Sequence, residues 1–102
     1  MANTAVLGAG NGGMALSAIL KKKGHYVCLW NRNEQRLASI STNRRIRLTG
    51  CIQFHATIDK ITYDLKEAIV NADYIFIVVP ANTHFEIVSR FSKYINKNQV
   101  IV

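Results

Sequence analysis

The sequence predicts an α/β fold built on an open parallel sheet. A short apolar run ends in the glycine-rich segment 8–13, and an apolar-periodic helix follows it at once. A second apolar run, at 25–30, completes a strand–helix–strand unit. A third run, Tyr74 to Val79, is continuous and rich in β-branched residues, which is typical of a strand covered on both faces. Together these features predict a doubly wound, Rossmann-type sheet with right-handed crossovers.

The first half of the chain supplies the strand–helix–strand unit. Strand one is predicted from Thr4 to Gly8, and a helix from Gly12 to about Lys23, ended by Gly24. Strand two is predicted from His25 to Trp30, and a second helix from Glu34 to Ser41.

The middle of the chain has a weaker pattern. Ile46 to Leu48 and Ile52 to Phe54 alternate around Thr49-Gly50, which predicts a small hairpin. Strand three follows from Lys60 to Tyr63, and Asp64 caps a short helix.

The last third of the chain returns to the strand–helix alternation. Pro80 ends strand four, Asn82 or Thr83 caps a helix to Tyr94, and Val100 starts strand five. The predicted inner face of that helix consists of Phe85, Ile87, Val88 and Phe91.

Length and hydropathy bound the class of protein. The 102 residues allow one domain, and Gln99 to Val102 form an apolar strand with no turn signal after it. We therefore expect residues 1–102 to be a fragment, truncated before a second domain. No run of 18 apolar residues and no leader-like segment is visible, so we expect a soluble, cytoplasmic protein without membrane association.

The charge distribution and the cysteine content argue against a nucleic-acid-binding protein and against a metal site. The net charge of +7 comes from scattered lysines and arginines, which predicts no nucleic-acid partner. Cys28 and Cys51 have no C-x-x-C spacing or histidine cluster beside them, so we expect reduced, structural thiols and no metal.

The glycine segment carries the main functional signal. In the pattern G-x-G-x-x-G, Gly8 allows a sharp turn off the strand, Gly10 lets backbone amides approach a pyrophosphate, and Gly13 lets helix and strand pack closely. The unpaired amides at the helix start then face the anion. The alternative is a glycine-rich turn without a ligand, but the flanking strand and helix favour a dinucleotide.

The end of strand two indicates which dinucleotide is preferred. NAD-binding domains usually place an acidic residue there, on the 2′-hydroxyl of the ribose. This chain has Asn31 followed by Arg32, which removes the repulsion of a 2′-phosphate and offers a guanidinium to bind it. The sequence thus predicts NADP over NAD, with Arg36 near the adenine. The alternative is that Arg32 and Arg36 are solvated residues that open an exposed helix.

The end of strand four should lie beside the nicotinamide. Val79, Pro80 and Ala81 occupy the carboxyl end of that strand, where ligands bind in open α/β sheets; the alternative is a simple strand stop. His84 lies near this segment, but we expect a structural role for it instead of proton donation. Trp30 is expected in the core, not as an adenine stacking plate.

Five segments resemble the N-terminal NAD(P)-binding domain of the octopine/nopaline (opine) dehydrogenase family. They are G-A-G-N-G-G at 8–13, L-W-N-R at 29–32, N-A-D-Y-I-F-I-V-V-P-A at 71–81, the histidine three residues after Ala81, and Y-I-N-K-N-Q-V-I-V at 94–102. The resemblance implies cofactor contacts from Gly8, Ala9, Gly10, Asn11, Gly12, Gly13, Asn31, Arg32, Val79, Pro80 and Ala81.

Such enzymes reductively condense an α-keto acid with an amino acid, using NAD(P)H. The resemblance places substrate binding and catalysis in a second, mostly helical domain, so it implies no catalytic residue within 1–102. Related domains of glycerol-3-phosphate dehydrogenase, ketopantoate reductase and 6-phosphogluconate dehydrogenase share the signals at strands two and four. A non-catalytic nucleotide-sensing module is a further alternative, against which Asn31 counts. The sequence also leaves a homodimer open.

Overall fold

A computed structural model describes residues 2–32, 45–48, 54–79 and 81–102. In chain order its elements are β1 (Asn3–Leu7), α1 (Asn11–Lys22), β2 (Tyr26–Trp30), β3 (Arg45–Leu48), β4 (Phe54–Thr57), β5 (Lys60–Thr62), α2 (Leu65–Ile69), β6 (Tyr74–Ile77), α3 (Ala81–Phe91) and β7 (Val100–Ile101).

A five-stranded parallel sheet in the order β5-β2-β1-β6-β7 forms the centre of the fold. The chain runs outward from β1 to one edge and then crosses back to β6 on the other side of β1. The strand order therefore reverses between β1 and β6, where ligands bind in doubly wound sheets. The predicted fold class is confirmed.

The sheet is buried on both faces, as its parallel strands require. On one face, Ala5 and Leu7 of β1 pack with Ile87 and Phe91 of α3. On the other face lie the core residues Val6, Ala18, Leu20, Val27, Leu29 and Ile58. Alternate residues of β1 thus pack on opposite faces of the sheet, which fixes the register of the strand.

Asp59 ties the end of α1 to β2, and the sequence analysis did not single it out. Its Oδ2 accepts hydrogen bonds from the Val27 amide at 2.8 Å and from the Lys21 ammonium at 2.7 Å. Because α1 begins at the glycine segment and ends at Lys22, this contact holds the far end of the helix against the sheet.

Several predicted elements are confirmed. Asp64 caps α2 by accepting from the amides of Lys66 and Glu67, and Gly24 follows α1 with a φ of 90°. The hairpin is present as β3 paired antiparallel with β4, although its second strand is Phe54–Thr57. The predicted helix 34–41, and Cys51, lie outside the described residues.

Strand four ends earlier than predicted. β6 stops at Ile77, because its neighbour β1 ends opposite at Leu7, where Gly8 turns the chain away. The Val78 amide still donates to the Leu7 carbonyl at 2.9 Å. The pairing of β6 with β1 ends at Ile77 and Leu7, so Val78 and Val79 lie beyond the paired part of β6.

The capping prediction for the last helix was wrong. α3 already begins at Ala81, so Asn82 and Thr83 lie inside its first turn. Ile87 and Phe91 face the core as predicted, whereas Val88 is 40% exposed because it lies about 100° further around the helix than Ile87.

Two buried side chains at strand two have structural roles. Trp30 is 1% exposed within the core, as predicted. Burial raises the pKa of the Cys28 thiol to about 12, so this thiol stays protonated at neutral pH.

Across the described ranges, every helix is too short or too polar to cross a lipid bilayer.

We expect Asp59→Ala to lower the free energy of unfolding by about 1–3 kcal/mol, because the buried Val27 amide loses its acceptor. Asp59→Asn keeps an oxygen for that amide and should cost less. Urea unfolding of the two variants measures the difference. Wild-type stability in Asp59→Ala would contradict this role.

Candidate dinucleotide site

At two positions of the 8–13 segment, close backbone contacts leave room only for glycine. Gly8 follows β1 directly and has a φ of 131°, and a Cβ there would collide with the Val78 carbonyl oxygen. A Cβ on Gly13 would collide with the carbonyl oxygen of Gly8. The start of α1 thus packs directly on the turn that leaves β1, in agreement with the roles predicted for these two residues.

Gly10 differs, because the folded chain does not demand it. A Cβ on Gly10 would meet no atom of the described residues within 4 Å, whereas one on Gly12 would lie 3.3 Å from Val78 Cγ1. The space in front of Gly10 is therefore open. An open approach to the backbone is what the binding of a pyrophosphate needs at this position.

The backbone amides of the loop divide into two groups. The Gly8 amide donates to the Trp30 carbonyl at 2.7 Å, and the Ala9 amide donates to Asn31 Oδ1 at 3.0 Å. The first intrahelical bond runs from the Met14 amide to the Gly10 carbonyl. The amides of residues 11–13 precede that bond and have no intrahelical acceptor.

The start of α1 is also electrostatically suited to an anion. Its N-cap is Gly10, which provides no capping side chain, and its first turn holds no acidic residue. The helix dipole places partial positive charge at this end, while Lys21 and Lys22 lie in the last turn at the other end. These are the features that favour a phosphate or diphosphate group at the start of a helix, and the contact of residues 11–13 with a cofactor stays a prediction.

Asn31 connects the end of β2 to the glycine loop. Its side-chain oxygen holds the Ala9 amide, and its own amide lies 3.4 Å from the Thr62 carbonyl oxygen. The sequence analysis treated Asn31 only as a residue near the ribose. The hydrogen bond to Ala9 adds a positioning role, which the parallel register of β1 and β2 could have indicated. The proposed contact of Asn31 with a cofactor stays a prediction.

Arg32 makes an ion pair that the sequence did not reveal. Its Nη1 lies 2.5 Å from Oε1 of Glu86 in α3, and the two side chains are 49% and 51% exposed. The sequence assigned Arg32 to a 2′-phosphate, and the structure adds a carboxylate beside the same guanidinium. Arg36 lies outside the described residues.

The end of β6 lies against the glycine loop, and its expected contact with the nicotinamide stays a prediction. Val79 Cγ1 would lie 3.1 Å from a Cβ on Gly8, so residues 78 and 79 line the reversal point beside the loop. His84 Nε2 donates to the Val79 carbonyl at 2.9 Å, which supports a structural role for that ring. Pro80 lies outside the described residues, and Ala81 begins α3.

The structure thus brings together the glycine loop, Asn31 and Val79, with Arg32 at the margin of the group. Within the ranges described, no group of three or more histidine, cysteine or acidic side chains could hold a metal ion. The arrangement can bind and orient a nucleotide.

Known relatives include two kinds of dehydrogenase. The opine dehydrogenase of Arthrobacter sp. (strain 1C) is 39% identical over 99 residues, which are 96% of this chain and 28% of that protein. A glycerol-3-phosphate dehydrogenase [NAD(P)+] of Thermoanaerobacter sp. (strain X514) is 33% identical over 97 residues, which are 95% of this chain and 29% of that protein. The chain therefore spans less than a third of the length of either relative.

Solved structures show the same fold. Glycerol-3-phosphate dehydrogenase from Coxiella burnetii superposes with a TM-score of 0.80 at 30% identity, over 98% of this chain and 31% of that one. Octopine dehydrogenase with NADH and pyruvate superposes with a TM-score of 0.84 at 21% identity, over 99% of this chain and 28% of that one. At 21% identity the second likeness concerns the fold alone.

We expect Gly13→Ala and Gly10→Ala to separate folding from binding. Gly13→Ala should cost about 3 kcal/mol of unfolding free energy or more, because its methyl group meets backbone. Gly10→Ala should stay within about 1 kcal/mol of wild type, yet bind NADPH roughly tenfold more weakly. Urea unfolding and titration calorimetry measure the two effects. A fully stable Gly13→Ala, or unchanged NADPH binding in Gly10→Ala, would contradict these roles.

The geometry indicates a dinucleotide site, and a match to a family profile shows which protein family the chain belongs to. The profile that describes the N-terminus of NAD-dependent glycerol-3-phosphate dehydrogenase matches residues 3–102. Its match includes every element of the sheet and the whole glycine segment. By this match, the chain belongs to the family of NAD-dependent glycerol-3-phosphate dehydrogenase N-terminal domains, whose relatives are NAD(P)-dependent oxidoreductases.

Proposed function

We propose that the chain is the cofactor-binding part of an opine-type NAD(P)-dependent dehydrogenase. Such an enzyme acts on the CH–NH bond of N-(carboxyalkyl) amino acids and forms it by condensing a keto acid with an amino acid. The observation that carries the cofactor role is the start of α1, where the amides of residues 11–13 have no intrahelical acceptor and the space before Gly10 is open. The 39% identity to an opine dehydrogenase supports the substrate class.

The chain's own residues bind and orient the cofactor in this proposal. The amides at the start of α1 hold the diphosphate, and the dipole of α1 favours its charge. Val79 offers an apolar surface beside the loop for the nicotinamide ring. A nicotinamide dinucleotide supplies a hydride when bound. Amino-acid and keto-acid binding, and the acid–base groups, belong to the part of the enzyme beyond these residues.

A preference for NADP follows from the end of β2. Asn31 leaves this point without the carboxylate that would repel a 2′-phosphate, and Arg32 places a half-exposed guanidinium one residue later. The ribose of a bound dinucleotide is expected at this strand end, because the diphosphate is held at the adjacent loop. We also propose a cytoplasmic enzyme, with no nucleic-acid or membrane partner.

Glycerol-3-phosphate dehydrogenase is the second candidate. The matching family profile is named for that enzyme, and a relative of this kind is 33% identical over 97 residues. The relatives of both kinds are oxidoreductases, which counts against a purely nucleotide-sensing module.

Substrate assays of the full-length protein distinguish the two candidates. We expect NADPH oxidation when a keto acid and an amino acid are added together, and none with either alone, because both are needed to form the CH–NH bond. A spectrophotometric assay at 340 nm measures the loss of NADPH. Oxidation that requires dihydroxyacetone phosphate instead would favour the second candidate and contradict the first.

We expect Arg32→Gln to weaken NADP binding roughly tenfold, because a charge-assisted bond to the 2′-phosphate is lost. NAD binding should stay within about twofold of wild type, since NAD carries no 2′-phosphate. Titration calorimetry with both cofactors measures the two dissociation constants. Wild-type protein that binds NAD as tightly as NADP would contradict the preference.

A further inference from the structure

The Arg32–Glu86 ion pair joins two elements on either side of β1. Arg32 follows β2, and Glu86 lies in the second turn of α3, which follows β6. Because β1 lies between β2 and β6 in the sheet, the pair spans the carboxyl end of β1, where the glycine loop begins. Both partners therefore lie at the edge of the sheet that is expected to receive the dinucleotide.

Glu86 brings a carboxylate to the end of β2, where the described residues Asn31 and Arg32 carry none. The residue at the end of β2 is Asn31, and its oxygen is already bonded to the Ala9 amide. Glu86 comes from α3 and reaches Arg32 at 2.5 Å. The guanidinium on which NADP preference depends is thus partly neutralised by a residue 54 positions away in the chain.

We propose that Glu86 is a specificity-determining residue that competes with a 2′-phosphate for Arg32. This inference rests on the proposed function, in which Arg32 binds that phosphate. NAD carries a neutral 2′-hydroxyl and can bind with the pair intact. NADP must draw the guanidinium away from Glu86 before its 2′-phosphate can bind Arg32. Glu86 therefore lowers the discrimination in favour of NADP.

The exposure of the pair allows this exchange. Each side chain is about half exposed, and solvent-exposed ion pairs contribute little to stability because water and salt screen them. A phosphate with three acceptor oxygens and nearly two negative charges can replace a single carboxylate contact. Glu86 therefore weakens NADP binding by a factor of a few and does not abolish it.

Glu86→Gln tests the proposal, because it keeps the size of the side chain and removes its charge. In the full-length protein we expect NADP to bind about two- to fivefold more tightly, the factor that corresponds to an exposed ion pair. NAD affinity should stay unchanged. Titration calorimetry with NADP and NAD measures both, and circular dichroism checks that the variant is folded.

Glu67→Gln is the matched control. Glu67 pairs with Lys60 at 2.6 Å, and these side chains are 42% and 43% exposed, so the broken pair is of the same kind. Lys60 lies at the amino end of β5, on the opposite edge of the sheet from the glycine loop. Neither cofactor should bind differently to Glu67→Gln. If NADP binding tightened equally in Glu67→Gln and Glu86→Gln, the change in net charge alone would explain it. That result would overturn the proposal.

The double variant Arg32→Gln/Glu86→Gln separates competition from direct repulsion. With Arg32 absent, removing the Glu86 charge should no longer improve NADP binding. An undiminished improvement would mean that Glu86 acts on the phosphate without Arg32, which overturns the proposal. An unchanged NADP affinity in Glu86→Gln also overturns it.

Failure of the proposed function has a separate signature. If wild-type protein binds neither NADP nor NAD, the cofactor role is wrong, and if Arg32→Gln binds NADP as wild type does, the assignment of Arg32 is wrong. Neither result resembles the outcome in which both cofactors bind, Arg32→Gln weakens NADP, and Glu86→Gln changes nothing. That last pattern rejects the competition and leaves the proposed cofactor role intact.

Discussion

The packing of Gly13 on the Gly8 carbonyl is the contact on which the rest of the site depends. It places the first turn of α1 directly against the turn that leaves β1, at a distance that no side chain could occupy. The helix therefore starts at the carboxyl edge of the sheet, where its first amides have no intrahelical acceptor and no side chain caps them. Without this contact, the helix start and the strand ends would not form one surface.

Other parts of the fold hold that contact in place. The Gly8 amide is bonded to the end of β2, Ala9 is held by Asn31, and Val78 is bonded to the end of β1. At the far end of α1, Asp59 joins Lys21 to β2. The loop is thus fixed from both neighbouring strands and from its own helix, so little of the cofactor's binding free energy is needed to order it.

The sequence predicted what short-range patterns determine. The glycine spacing located the turn and the helix start, Asp64 located α2, and the continuous apolar run located β6. In each case the physical requirement is local: a positive φ or a close approach at glycine, a side-chain cap, and burial on both faces of a parallel strand. Boundaries that depend on a neighbouring strand were less accurate, because β6 ends where β1 turns away.

Contacts between distant residues were beyond sequence analysis. Asp59 on Val27, Asn31 on Ala9 and Glu86 on Arg32 join different elements, and no spacing rule relates their positions. The last of these matters most, because it changes how the end of β2 is understood. Sequence rules compare Asn31 and Arg32 with an acidic residue at the same strand end, whereas the fold places an acidic side chain of α3, Glu86, beside Arg32.

In the proposed function, the backbone amides at the start of α1 hold the diphosphate. Amide proton–nitrogen spectra of the isotope-labelled protein, recorded as NADPH is added, test it most directly. We expect the amides of Asn11, Gly12 and Gly13 to show the largest shifts, ahead of those at Arg32 and Val79. Shifts that spare residues 11–13 and centre elsewhere on the protein would contradict it.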